Sequence, residues 1–480
     1  MLSILCFVFF ERLTFFSIKS HLFMYIVQYL NYSRMDGIIS VHAFIFLSYL
    51  FCVLGGFISD KFIGQYLMII ISLLVYTLGI ISISISSLAK SNIFFIIGLV
   101  CVSFSAGGIK PNILSAGAGL LQKAYTAKES SSKEKTDKIA SLLVTFFSRF
   151  YFVINLSSFI VLFITPSTIS RAIGALANAQ TLSQEQLRLM DISEYFLIFL
   201  FSFISIFISI GIFFILMAKY LVHCWFGKKK EESQINVETS VDHIPVQKYD
   251  VIKNLPIVIG WTIYDQMSST WIDQGKRMIT QIGVLSYKIS IPPSQIILIN
   301  SFALIVFLPF YDSAIPAFFC SARLADTHKH RMAYGLLMIG LSYLVYYGIE
   351  VYMTRNGSIS ILFQVPQILI ITIGEVLVSV SGMAVAYNEG GTNNKSVAMG
   401  YWYLNVALGN LLVVCLSSFY KYINAQIHYQ AILYLLLIFT ATIYSLNNTK
   451  ERSIIPQNIT TEDIPLLIED NLEEHPVALV

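Results

Sequence analysis

The chain has 480 residues, of which 56% are hydrophobic and only 12% are charged. A soluble globular protein carries roughly 25% charged residues, so the composition indicates a membrane protein with many spans in the lipid bilayer. The formal net charge of +3 is small and scattered, which argues against a nucleic-acid partner. The six cysteines lie far apart, without a CxxC pair or a Cys/His cluster. We therefore expect neither a disulfide framework nor a metal site.

The first apolar segment contains charges where a lipid-facing helix would have none. Residues 7–21, FVFFERLTFFSIKSH, place Glu11, Arg12 and Lys19 in an apolar run that continues to about residue 30. At about 3.6 residues per turn, positions 8, 11, 12, 15 and 19 share one helical face. A charge at the centre of a spanning helix costs at least ~2.5 kcal/mol, so we expect these charges to face a water-filled cavity or each other. A juxtamembrane helix with snorkelling charges is the alternative.

Apolar runs of roughly 20 or more residues, the length that crosses a bilayer, number about twelve. They lie near 3–30, 38–60, 66–88, 93–121, 139–164, 194–221, 251–283, 294–320, 331–353, 359–387, 396–420 and 428–446. We predict an all-α membrane protein with two six-helix bundles, 1–222 and 251–447, joined by a polar cytoplasmic linker, 223–250. The polar, acidic tail, 448–480, is predicted to be cytoplasmic and disordered.

Lysine and arginine concentrate in alternate loops, which indicates the orientation in the membrane. One set of loops holds the basic residues within 123–138, 228–230 and 323–331 together with Lys395, and the intervening loops hold fewer. Both termini are therefore predicted to be cytoplasmic, and we expect the plasma membrane as the location.

The loop after the second span contains the pattern Gly56-x-x-x-Asp60-Lys61-x-x-Gly64. Its glycines permit a tight turn, and Asp60 is expected to cap the next helix. The pattern resembles the cytoplasmic signature of the major facilitator superfamily, with Gln65 in place of the usual basic residue.

Two further polar residues lie deep in apolar spans. The motif GGIKPN, 107–112, places Lys110 inside the fourth span, where the glycines and proline loosen the helix. A kinked helix with a snorkelling lysine is the alternative. Asn155 in the fifth span serves either to join helices or to contact a ligand, and the residues alone favour neither.

The order and spacing of eight segments resemble the signatures of the proton-coupled oligopeptide transporter family. The segments are ERLTFFSIK, GGFISDKFIG, GGIKPN, FYFVINLSSF, WTIYDQMSSTW, LINSFALIVFLPFYD, LFQVPQILIITIGEVLVSVSGMAVAY and NKSVAMGYWYLNVALGN. The resemblance implies the major facilitator superfamily fold and a symporter that imports di- and tripeptides with protons by alternating access. It also implies a monomer without a cofactor.

The resemblance assigns roles to individual residues. A peptide carboxylate would meet Arg12, Lys19 and Lys110, and its ammonium would meet Glu375. The other residues that match substrate-binding positions are Phe15, Phe16, Tyr49, Asn155, Trp261, Asn300 and Trp402. Proton coupling or gating would involve Glu11, His42 and Asp265, with Asp265 pairing with Lys19 as an outward-side gate.

The chain departs from the family pattern at several positions. Val8 replaces the first glutamate of the first-span signature, Phe15 and Phe16 replace tyrosines, Lys19 replaces an arginine, and Ser157 replaces a glycine. Since Val8 does not titrate, a proton in the first span must reside on Glu11 or nowhere. Two other functions stay open, namely transport of nitrate or another small solute, and a transport-inactive nutrient sensor. The absence of a phosphate loop, HExxH or GxSxG motif argues against an enzyme.

Overall fold

The computed structural model describes residues 2–126, 133–164, 184–231, 251–284, 287–310, 328–389, 394–423 and 427–447. The predicted tail, 448–480, and most of the predicted linker, 232–250, lie outside these residues.

Six long helices form the first half of the described chain. They are α1 Leu2–Met24, α2 Arg34–Ile58, α3 Gln65–Ala89, α4 Asn92–Thr126, α5 Lys133–Ile164 and α6 Gln184–Glu231. A π-helical turn, Tyr25–Tyr29, extends α1, and another, Ser59–Ile63, extends α2. Gly64 ends the second of these turns with a φ of 78°, a left-handed conformation that glycine adopts readily. The predicted tight turn is therefore present.

Seven α-helices and a short hairpin form the second half of the described chain. The helices are α7 Val251–Tyr264, α8 Thr270–Lys276, α9 Leu298–Phe307, α10 His328–Asn356, α11 Val365–Glu389, α12 Lys395–Ile423 and α13 Ile427–Asn447. Strands β1 Gln281–Val284 and β2 Tyr287–Ser290 pair antiparallel. The sequence analysis predicted helices only, so this hairpin is a small exception to an otherwise helical chain.

Eight helices of the described chain, α2–α6 and α10–α12, are long and apolar enough to cross a membrane. Helix α1 is of similar length but carries three charged residues. Helices α9 and α13 contain shorter apolar segments, Leu298–Phe307 and Ala431–Ile443. With α7 and α8 taken as one broken segment, each of the twelve predicted spans corresponds to helical structure among the described residues. The predicted helical membrane architecture is confirmed.

The seventh span is broken where a continuous segment, 251–283, was predicted. Helix α7 ends at Tyr264, a 3-10 turn follows at Asp265–Ser268, and α8 begins at Thr270. Between them Ser269 has φ −139° and ψ −77°, which is not helical. The predicted span ran through the polar segment 265–276, DQMSSTWIDQGK, in which only Met267, Trp271 and Ile272 are apolar, and so it missed the break. Two polar residues of the 3-10 turn, Asp265 and Gln266, are buried in the protein.

The charged face of α1 is buried within the first bundle. Val8, Glu11 and Phe15 are each 1% exposed, and Arg12 is 6% exposed. Hydroxyl groups bond α1 to its neighbours. The Thr14 hydroxyl of α1 donates to the Ser202 carbonyl oxygen of α6 at 3.2 Å. Ser157 of α5 donates to the Phe9 carbonyl oxygen of α1 at 3.0 Å, so the serine that departs from the family pattern joins two helices.

Glycines let α4 and α2 lie against their neighbours. A Cβ atom on Gly107 would lie 2.4 Å from Phe51 Cβ, and one on Gly108 would lie 2.0 Å from Ser72 Oγ. Helix α4 itself is continuous through Pro111. The two glycines therefore permit close helix packing and do not interrupt the helix. Across the two halves, a Cβ atom on Gly56 would lie 2.5 Å from the carbonyl oxygen of Ser396 at the start of α12.

Candidate functional site

A cavity of about 160 Å³ lies between the two halves. Residues of α1, α2, α4 and α5 line one side, and residues of α7, α9, α11 and α12 line the other. The predicted site residues that line it are Arg12, Phe16, Lys19, Tyr49, Lys110, Asn155, Trp261, Asp265, Asn300, Glu375 and Trp402. Residues that are distant in sequence and come from both halves are thus brought to one cavity.

Two of the three cations of the cavity are paired with carboxylates. Arg12 Nε lies 2.5 Å from Glu11 Oε2, and Arg12 Nη2 lies 2.8 Å from Glu11 Oε1, so the contact is bidentate. Lys19 Nζ lies 3.7 Å from Asp265 Oδ1. The predicted Lys19–Asp265 pair is therefore present, and it joins α1 of the first half to the broken segment of the second.

Lys110 is the third cation, and it lacks such a partner among the described residues. Its Nζ is buried without a hydrogen-bond partner in the described part of the chain. It lies 3.7 Å from the centroid of the Tyr49 ring and 4.1 Å from that of Phe15. Aromatic faces attract a cation but do not replace a carboxylate. An ammonium in this environment is well placed to bind an anion that enters the cavity.

Glu375 supplies the anionic end of the cavity from α11. The Tyr151 hydroxyl donates to Glu375 Oε1, and Asn300 Nδ2 donates to Glu375 Oε2 at 2.9 Å. Asn300 Nδ2 also donates to the Thr372 hydroxyl at 3.0 Å, so the amide nitrogen is held in place and its carbonyl oxygen remains as an acceptor. Glu375 has no cation partner closer than 4.0 Å in the described chain.

Two tryptophans form an aromatic wall. The ring centroids of Trp261 and Trp402 lie 6.4 Å apart, with an interplanar angle of 77°. Trp261 is also nearly perpendicular to Tyr264, with 5.1 Å between the centroids. Trp261 Nε1 is buried and has no hydrogen-bond partner among the described residues. The wall therefore offers apolar surface and one indole N–H donor.

Comparison with known proteins identifies the family of the chain. The sequence matches the model of the POT family over residues 66–241 and 251–433, which is more than half of the chain. The chain belongs to the POT family. It is 25% identical over 373 residues to "Peptide transporter family 1" of Drosophila melanogaster, which covers 72% of the chain and 46% of that protein. The chain thus spans about half the length of the curated relatives it matches.

Solved structures of the POT family share the fold. The structure of an auto inhibited POT family peptide transporter is 19% identical, with a TM-score of 0.66 over 95% of this chain and 98% of that one. The structure of the POT family transporter PepTSo is also 19% identical, with a TM-score of 0.67 over 93% and 96%. The predicted membrane fold of the major facilitator superfamily is confirmed, and the chain is an integral membrane protein with several spans.

Three residues singled out by the resemblance to the POT family do not line the cavity. Glu11 lies behind Arg12 as its partner. Phe15 is buried, stacks on Phe44 with 5.7 Å between the centroids, and lies below the ammonium of Lys110. His42 is fully buried. For Phe15 we therefore expect an effect on substrate through Lys110 rather than by contact, because its ring faces two other side chains.

His42 belongs to a buried hydrogen-bond chain that crosses between the halves. Its Nδ1 lies 2.7 Å from Asn410 Oδ1, and its Nε2 lies 2.7 Å from Ser269 Oγ. Asn410 Nδ2 donates to Asp265 Oδ2 at 2.6 Å. Since Asp265 also pairs with Lys19, one connected network contains two of the predicted proton-coupling residues.

The sequence analysis did not single out several members of these networks. Asn410 and Tyr151 lie within segments that resemble POT signatures, and each had a signal. Asn410 is an amide in an apolar span, and Tyr151 lies four residues before Asn155 on the same helical face. Ser269 gave no such signal because serine is common in these spans.

Contacts between the halves lie beyond both ends of the cavity. At the beginning of α2, Arg34 Nη2 lies 2.6 Å from Asp273 Oδ2 of α8. At the other end of α2, Asp60 Oδ2 accepts a hydrogen bond from the Val397 N–H of α12 at 2.9 Å. The expectation that Asp60 caps the next helix is wrong, because α3 has no side-chain cap and Asp60 serves the first turn of α12 instead.

Hydrogen bonds near Asp60 reinforce this second contact. Gln65 Nε2 donates to Ser115 Oγ at 3.1 Å and to Ser396 Oγ at 3.0 Å. Lys395 Nζ donates to Gln122 Oε1 at 2.8 Å. Gln65, which stands where the superfamily signature has a basic residue, thus bonds to two hydroxyl groups through its neutral amide. The two halves therefore meet at both ends of α2, with the cavity between.

Proposed function

We propose that the chain is a proton-coupled symporter that imports di- and tripeptides by alternating access. The observation that carries this proposal is a pair of opposite charges that line one cavity and have no ion-pair partner among the described residues, Lys110 from the first half and Glu375 from the second. A peptide with free termini has the complementary pair of charges.

The charges of the site favour a zwitterion over a simple ion. Arg12 is paired with Glu11 and Lys19 with Asp265, so Lys110 and Glu375 remain. A buried charge without a partner is costly, and a peptide carboxylate and ammonium would together neutralise both. A single anion such as nitrate would satisfy Lys110 and leave Glu375 unpaired. The substrate is therefore expected to need both termini.

The polar and aromatic residues between the charges suit a peptide backbone with variable side chains. Asn155 and the carbonyl oxygen of Asn300 are available to hydrogen-bond peptide groups. Trp261 and Trp402 offer apolar surface that accepts different side chains. The relatives named as peptide transporters support the same substrate class.

The location of the charges suits alternating access. A peptide that contacts both Lys110 and Glu375 would draw the two halves together, because it binds the closed arrangement better than the open one. The contacts at Arg34–Asp273 and Asp60–Val397 would then separate in turn to open one side or the other.

We assign the first-span proton to Glu11. The Arg12 guanidinium holds the Glu11 carboxylate in a bidentate contact. A substrate carboxylate would compete for Arg12 and Lys110, and Glu11 would then bind a proton in place of its cation. Peptide and proton would bind cooperatively, which is the linkage that a symporter requires. The network of His42 and Asp265 provides a second route for the proton.

The remaining features of the proposal follow from the sequence. The protein is proposed to act as a monomer in the plasma membrane, with both termini in the cytoplasm and with no enzymatic activity. Its two bundles, 1–222 and 251–447, are proposed to move as units joined by the linker, 223–250.

Ligand-induced thermal stabilisation of the purified protein tests the substrate class. A ligand that binds only the folded state raises stability by RT ln(1 + [L]/Kd). Dialanine should raise the melting temperature, while N-acetyl-dialanine and dialanine amide at the same concentration should raise it less. Nitrate that stabilises as well as dialanine would instead support an anion carrier.

A further inference from the structure

The indole of Trp402 occupies a notch in α11 that exists because residue 382 is glycine. A Cβ atom on Gly382 would lie 2.0 Å from Trp402 Cη2, 2.2 Å from Cζ3 and 2.6 Å from Cζ2. Non-bonded carbon atoms pack at about 3.5–4.0 Å. Alanine at position 382 and this placement of the indole therefore exclude each other, so Gly382 positions Trp402.

The notch opens beside the cavity. Ser379 and Met383, on either side of Gly382 in α11, both line the cavity, and so does Trp402. Trp261 flanks the indole nearly perpendicularly, with 6.4 Å between the centroids. Because α11 and Trp261 bound the indole on two sides, an indole displaced from the notch moves into the cavity.

The distance from Glu375 indicates which part of a substrate meets this wall. Gly382 follows Glu375 by seven residues on the same helix, which is about 10 Å along the helix axis. An extended peptide advances about 3.3–3.6 Å per residue. Ten ångström is about three residues, so a peptide whose ammonium contacts Glu375 and which extends along α11 brings its third residue to Trp402.

We propose that Gly382 is a specificity-determining residue that sets the space for the side chain of the third residue of a peptide. Gly382 acts by letting the Trp402 indole pack against α11, at the wall of the cavity, so that the indole does not extend further into it. The proposal rests on the proposed peptide substrate. Bulky side chains are admitted because the indole lies in the notch.

Gly382→Ala tests this directly, since alanine favours a helix and adds only a methyl group. In proteoliposomes, uptake of Ala-Ala-Phe should fall about tenfold or more relative to trialanine, the scale of a one-carbon misfit in an apolar pocket. Adding Trp402→Phe, which removes the benzo ring that clashes, should restore the ratio. Gly348→Ala is the matched control, because a Cβ atom there meets nothing within 4 Å, and it should leave the ratio unchanged.

Acrylamide quenching of Trp402 fluorescence gives a second measurement that needs no transport. The signal of Trp402 is the difference between each protein and its Trp402→Phe counterpart. Quenching should rise in Gly382→Ala and stay constant in Gly348→Ala. If the wild type carries no peptide but quenching rises, the proposed function fails while the positioning of Trp402 by Gly382 is supported.

Two results would overturn the proposal. One is an unchanged ratio of Ala-Ala-Phe uptake to trialanine uptake together with unchanged quenching in Gly382→Ala. The other is a Gly382→Ala protein that fails to fold and is not rescued by Trp402→Phe, because a clash with the indole must disappear with the indole. Rescue of folding by Trp402→Phe supports the contact.

Discussion

Glu375→Gln should weaken the binding of peptides with a free amino terminus and leave the binding of N-acetylated peptides nearly unchanged. Glu375 is 4% exposed and is held by Tyr151 and Asn300. Glutamine keeps the shape and one acceptor oxygen but removes the charge. A hydrogen bond to a charged group contributes about 1.5–3 kcal/mol, and about 1.4 kcal/mol is a tenfold change in affinity. Dialanine should therefore bind roughly ten- to a hundredfold more weakly, and N-acetyl-dialanine should be nearly unaffected.

The assay is competition of each ligand against a labelled dipeptide in proteoliposomes. Glu350→Gln is the matched control, because Glu350 is as deeply buried and bonded to Gln274 and Arg277 but does not line the cavity. It should weaken both ligands equally or neither. Equal weakening of dialanine and N-acetyl-dialanine by Glu375→Gln would refute the assignment of the ammonium to Glu375 and leave it a structural residue.

Three other substitutions test the account. Lys110→Met should raise the melting temperature, because it removes a buried ammonium that has no hydrogen-bond partner among the described residues. The same substitution should weaken the binding of dialanine about tenfold or more in the competition assay. A lower melting temperature with unchanged binding would contradict this prediction. Glu11→Gln should abolish gradient-driven accumulation of labelled dialanine but spare its exchange, whereas continued accumulation would assign the proton to His42 or Asp265. Arg34→Gln should speed thiol labelling of Ser20→Cys in a cysteine-free background by up to about fivefold. The Arg34 side chain is 46% exposed and Asp273 keeps Arg277 as a second partner at 3.4 Å, so we take the contribution of the pair as about 0–1 kcal/mol. The exposed Arg355→Gln should not change the rate, and equal rates in both variants would remove Arg34 from the contact between the halves.

The sequence predicted the charged face of α1 well, because helical periodicity and the cost of charges in lipid both act locally. Val8, Glu11, Arg12 and Phe15 are indeed buried together. The periodicity did not distinguish residues that line the cavity from those behind it. Phe15 and Glu11 share the face but lie under Lys110 and Arg12, and such a difference depends on neighbouring helices.

Partners that are far apart in the sequence were the least predictable part. Asp60 bonds to Val397, 337 residues away, and His42 bonds to Asn410, 368 residues away. Capping and pairing rules predict only nearby partners, so they gave Asp60 the wrong helix. The contact between Trp402 and Gly382 was likewise not predictable, because a glycine in an apolar helix does not indicate which side chain packs against it.

Uptake of labelled dialanine into proteoliposomes, with and without an inward proton gradient, tests the central claim most directly. Unlabelled dialanine, alanine and nitrate serve as competitors. Accumulation above the outside concentration is predicted only with the gradient, with competition by dialanine and little by alanine or nitrate. Accumulation that does not depend on the gradient, or that nitrate inhibits as strongly as dialanine does, would contradict a proton-coupled peptide importer. Absence of uptake under any gradient would favour a sensor.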